Sequence, residues 1–169
     1  MQLLDTLIPA GQDIQRLWHE KAARRQMPAR ADFSIDELKP WLGCLVLADI
    51  LPGVDLFYRV HGTKLAEMLG QELTGKRLSD LQPPELRELI RADYRELVAA
   101  RRPLVIRRRR SYGERGSFLV ERILLPLSHA GETIDQVLSL IGWIESSHEP
   151  ECVPAVRVRD VQQLKRDEA

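Results

Sequence analysis

The sequence predicts an α+β domain, a five-stranded antiparallel sheet with a helical insert and helices packed against it. Three observations carry this expectation. Two short apolar segments, Cys44–Leu51 and Leu56–His61, flank the turn signal Pro52-Gly53 and read as a hairpin. A stretch of helical period follows, from Gly62 to Arg101. Three further strand-like segments, Leu104–Tyr112, Phe118–Leu127 and Ile134–Glu145, are joined by turn residues at Gly113–Gly116 and Ala130-Gly131. Strands split two and three by a helical insert are most simply closed into one sheet with helices on a face.

The elements follow in order. Met1–Ile8 is apolar at Leu3, Leu4, Leu7 and Ile8 and reads as a helical turn or two, broken by Pro9-Ala10-Gly11. Asp13 then caps a helix to about Gln26, with Ile14, Leu17, Trp18 and Ala22 on one stripe and charges opposite. Met27-Pro28 ends it, because the residue before proline is pushed out of the helical region. Ser34 and Glu37 have capping-box spacing, which predicts a short helix to about Leu42, with a break at Lys39-Pro40. After the hairpin, Thr63 caps a helix that ends at Gly70, a left-handed stop. Pro83-Pro84 opens the longest helix, to about Arg101, with Leu86, Leu89, Ile90, Tyr94, Leu97 and Val98 on its apolar stripe. Residues 1–42 thus form an N-terminal helical flank, 43–146 the core and 147–169 a charged tail. In that tail Val156, Val158, Val161 and Leu164 are too sparse to define an element.

Composition narrows the function. The chain has 169 residues, 44% hydrophobic and 30% charged, a globular balance. Lys+Arg and Asp+Glu both number 25, for a net charge of +0, so nothing draws the whole chain to nucleic acid. No apolar run approaches the roughly 18–20 residues of a membrane span. Gln2–Ile8 carries Asp5 and lacks a basic lead-in, so it does not read as a secretory signal. The expectation is a cytoplasmic protein with no membrane partner. Cys44 and Cys152 stand far apart, in no metal-binding spacing, and read as reduced thiols. Ser128-His129 lies in a turn and no pair of carboxylates has acid/base spacing, so no enzymatic activity is expected.

Several stretches resemble a known family. Trp18 with MPARADF (Met27–Phe33), FYRVHGTKLAEMLGQELTGKRLSDL (Phe57–Leu81), RRPLVIR (Arg101–Arg107) and ERILLPLSHAGETIDQVL (Glu121–Leu138) are similar to a bacterial family of small, often stand-alone PAS-like proteins first catalogued as of unknown function. The resemblance covers roughly residues 14–145. It implies a β-β-α-α-α-β-β-β sensor or interaction fold with an internal cavity, and no particular ligand, because PAS domains carry different cofactors or none.

Within that frame, the resemblance argues against haem, since none of His19, His61, His129 and His148 lies in Lys64–Arg101, where an axial ligand would stand. It also argues against a covalent flavin, because neither cysteine lies in an Asn-Cys-Arg sequence. Strand alternation places Phe57, Arg59 and His61 on one face, and the resemblance makes that the cavity face. Arg59 is then internally paired with Glu67, Asp93 or Glu121, or reaches solvent near the strand end, or anchors an anionic ligand. Met68 and Tyr94 join Arg59 and His61 in the expected ligand site. Arg107-Arg108-Arg109-Arg110 puts charge on both faces of a strand, which fits an edge strand. Without interleaved aromatics or a recognised motif, the run is weak evidence for a nucleic-acid surface. Ile14, Leu17 and Trp18 can pack on their own sheet or, as in PAS homodimers, on a second copy. Two functions stay open. One is a sensor that binds a small molecule, an anion if Arg59 is its anchor. The other is a ligand-free module docking a signalling partner.

Overall fold

The computed structural model describes residues 2–144. The tail proposed at 147–169 lies outside the described residues. The elements are α1 (Pro9–Ala22), α2 (Ile35–Leu38), β1 (Leu45–Leu51), β2 (Asp55–His61), α3 (Thr63–Leu69), α4 (Pro84–Ala100), β3 (Leu104–Ser111), β4 (Ser117–Leu127) and β5 (Gln136–Ile144). All strands belong to one antiparallel sheet of order β2-β1-β5-β4-β3. The five expected strands are therefore present, and β3, with its four arginines, is an edge strand.

The N-terminus departs from the sequence expectation. Pro9 starts α1 instead of separating two helical pieces. Its ring fixes a helical φ, and its missing N–H is one the first turn leaves unpaired in any case. The chain before it is irregular and is tied to the sheet: the Leu7 and Ile8 amides donate to the buried Glu121 carboxylate at 2.9 and 3.1 Å. Helix α1 ends at Ala22, short of Gln26, with Ala23 at φ 51°. The capping box forms as expected. The Glu37 amide donates to Ser34 Oγ at 3.3 Å, and the Ser34 amide to Glu37 Oε2 at 2.8 Å. Gly70 closes α3 at φ 72°. At the start of α3 the cap is Gly62, not a Thr63 side chain.

The sheet has two covered faces. On one, α1 lays Ile14 and Trp18 over β4, and Trp18 Nε1 donates to the Pro126 carbonyl at 2.8 Å. On the other lie α3 and α4, with Ile90, Tyr94 and Leu97 buried. Gly62 is where the chain turns from β2 into α3. A Cβ there would stand 2.2 Å from the Gly43 carbonyl oxygen, so only glycine permits the approach.

Candidate functional site

Between the sheet and the α3–α4 layer is a small cavity of about 60 Å³. Space of that size holds a few water molecules at most. Its walls are mainly apolar and aromatic, with Leu65, Ile90, Val120 and Trp143 among them. Its polar groups are His61, Arg110, Arg122 and the phenols of Tyr58, Tyr94 and Tyr112.

Strand alternation explains the arginines. Arg107 points to the α1 face, where its Nε donates to Glu121 Oε2 at 2.8 Å. Arg108 and Arg110 point to the other face, toward the helices. Arg108 reaches Asp93 of α4, with Nη2–Oδ1 at 2.5 Å, and Arg122 Nη1 donates to Asp93 Oδ2 at 2.6 Å. Asp93 is fully buried and is the one carboxylate bonded to this cluster among the described residues. Arg122 also lies 5.3 Å from the Tyr94 ring centre. Burial opposes its charge, yet Tyr94 and Asp93 hold its pKa above the ordinary arginine value.

Arg110 is different. Its Nε and Nη2 are sealed from solvent and have no hydrogen-bond partner among the described residues. Burial pushes its pKa down, and the neighbouring Arg122 charge pushes it the same way. Three guanidiniums thus stand about one carboxylate, with one guanidinium unpaired. His61 is the second unsatisfied group. Its side chain is 5% exposed, and Nδ1 has no hydrogen bond, with Glu72 Oε1 3.6 Å away. Burial lowers its pKa from the ordinary 6.5, and Glu72 only partly offsets this. The Tyr94 hydroxyl meets Ser139 Oγ at 3.2 Å.

Of the residues expected at the ligand site, the structure brings His61 and Tyr94 to the cavity and leaves Arg59 and Met68 out. Arg59 is 56% exposed, paired with Asp49 at 2.6 Å, and lies over the Phe57 ring. The cause is a β-bulge. Leu47 pairs with Val60 and Ala48 with Tyr58, so Arg59 is the extra residue on β2. The bulge breaks the alternation and puts Tyr58 and His61, three positions apart, on the same wall. Met68 lines an open groove beside the cavity. Neither Glu67, Asp93 nor Glu121 pairs with Arg59. The expected interface stripe is largely used within the chain: Ile14 and Trp18 are buried in the core, and Leu17 packs partly against it.

Sequence reasoning missed Asp93, Arg110 and Arg122 as a cluster. The signals were an aspartate three residues from Ile90 on the apolar stripe of α4, and a lone arginine inside the apolar run of β4. Among the described residues no group of three or more His, Cys, Asp or Glu is placed to hold a metal ion, and no helix is long and apolar enough to cross a membrane.

Comparison with solved structures finds similar chains of low identity. The Rhodobacter sphaeroides LOV protein aligns at 21% identity and TM-score 0.45 over 61% of this chain, which spans only 60% of that one. The light-state LOV domain of the blue-light photoreceptor Aureochrome1 aligns at 15% identity and TM-score 0.47, covering 80% of this chain and 98% of that one. A sensory box histidine kinase/response regulator from Burkholderia thailandensis E264 aligns at 14% identity and TM-score 0.43, covering 80% and 97%. No curated protein matches the chain. The PAS domain family matches it over residues 7–142, well over half its length, and with the β2-β1-β5-β4-β3 sheet and its helical insert the chain belongs to the PAS domain family.

Proposed function

We propose that this PAS domain is a sensory module that takes a small anionic molecule into the cavity between the sheet and α3–α4 and relays its presence through protein contacts. The observation that carries the reading is the Arg110 guanidinium, with Nε and Nη2 sealed in the cavity wall and unpartnered. Leaving buried cationic donors unsatisfied costs free energy. A carboxylate or similar oxyanion meets such a planar fork with two parallel hydrogen bonds.

The neighbouring network supplies a relay. Asp93 ties α4 to β3 and β4 through Arg108 and Arg122. A ligand anion competes with Asp93 for these guanidiniums, and its binding shifts the population between two settings of α4 on the sheet. Output then runs to a second copy of the chain or to a signalling partner. The alternative, a ligand-free docking module working through Ile14, Leu17 and Trp18, finds Ile14 and Trp18 already buried in their own core. Titration of the wild type and of Arg110→Met with small carboxylates tests the proposal: binding should weaken in the variant while its fold is kept.

A further inference from the structure

The small cavity does not end at Arg110. Beside it runs a solvent-open groove of about 490 Å³, walled by the end of α3, the start of α4 and the β3–β4 turn. Cavity and groove share Leu69, Arg110 and Tyr112, so Arg110 stands where the two spaces adjoin. The groove walls include Met68, Pro83, Leu86 and Leu89, and its charged groups are Arg110 and Arg115, with no carboxylate among the lining residues. Leu89 is only half-buried although it lies on the apolar stripe of α4.

We propose that the ligand is an amphiphilic monocarboxylic acid whose carboxylate pairs with Arg110 and whose apolar chain lies outward along Met68, Leu86 and Leu89. This rests on the reading of Arg110 as an anion anchor and adds the class of the anion. Three features argue for it together. The inner space holds only a few atoms, so the bulk of a larger acid has to lie outside. The groove offers apolar surface at Met68, Leu69, Leu86 and Leu89, beside the neutral polar groups of Gln71, Gln82 and Ser111. Its charge is of one sign and opposite to a carboxylate's. A cationic or neutral amphiphile gains nothing from Arg110 and Arg115.

The test is a calorimetric titration of the whole chain with acetate, butyrate, hexanoate and octanoate, with octylamine as the counter-probe. NMR of the Arg110 Nε–H resonance is followed in parallel. Each added methylene laid on the groove should tighten binding by roughly fourfold. Octylamine should not bind, and Leu89→Gln, on a half-exposed helix position, should flatten the chain-length series while acetate still shifts the Arg110 resonance. A wild-type series that is flat from acetate to octanoate, with the Arg110 resonance shifting throughout, overturns the groove assignment and leaves the anion anchor standing. No shift of Arg110 with any carboxylate overturns both. Octylamine binding as tightly as octanoate overturns the acid class.

Discussion

Asp93 of α4 and Arg122 of β4 meet at 2.6 Å with both side chains sealed, 0% and 7% exposed. Two ions taken out of water are offset by their mutual attraction only when the remaining bonding capacity is filled. Asp93 fills its own by accepting from Arg108 as well. This contact pins the longest helix to the sheet.

Replacing Asp93 by alanine leaves Arg122 buried with its charge uncompensated. The expected loss is about 3–5 kcal/mol of unfolding free energy, read by urea denaturation. A double replacement, Asp93→Leu with Arg122→Met, should recover most of that loss. A single-variant loss under about 1 kcal/mol would mean that water enters the cluster and screens it.

Trp18 tests where the N-terminal helix belongs. Its indole N–H is bonded to the Pro126 carbonyl and its ring is buried. Trp18→Ala should therefore cost about 3–5 kcal/mol of stability. Leu17→Ser, at a half-buried position, should cost far less. Light scattering on both variants separates the two roles. A change of mass with Leu17→Ser at unchanged stability would assign that side of α1 to a second copy.

Gly62→Ala forces a methyl group to 2.2 Å from the Gly43 carbonyl oxygen. Backbone has to move at the β2–α3 junction, at a cost of about 1–3 kcal/mol. Thermal unfolding reads it directly, and a melting point equal to wild type would show that the junction has slack.

The pH dependence follows from His61. Its folded-state pKa lies below the 6.5 of the unfolded chain. As pH falls below 6.5 the unfolded state takes up the proton first, so this group's contribution to stability is present above 6.5 and lost on acidification. His19 adds a shift of the same sign, chiefly from burial. The difference in denaturation midpoint between wild type and His61→Asn should be constant above about pH 6.5 and shift against wild type as pH falls below it. An anion in the cavity raises the His61 pKa, so binding near pH 6 should take up protons. Titration in buffers of different ionisation heat measures that uptake.

The sequence carried the strand count, the hairpin, the capping box, the Gly70 stop and the edge position of the arginine strand, since each is a local pattern of residue types. It carried the site only in part: His61 and Tyr94 reach the cavity, and Arg59 and Met68 do not. Arg59 drew attention because period-2 alternation put it beside His61, and a single bulged residue reversed that. Bulge position depends on how Leu47 and Ala48 pair across to β2, which no property of β2 alone reveals. Asp93, Arg110 and Arg122 are far apart in the chain and meet only once β3, β4 and α4 are assembled. The arginine run was legible as charge on both faces, but the destination of each arginine was not.

If Arg110 is held unpaired to receive an anion, carboxylate titration of wild type and Arg110→Met, read through Trp143 fluorescence in the cavity wall, separates the two proteins. Saturable one-to-one binding by wild type, weakened about 10- to 100-fold in the variant with unfolding free energy equal or higher, is the predicted result, as expected for loss of hydrogen bonds to a charged group. Equal affinity in the two proteins, or no binding by wild type, would contradict it.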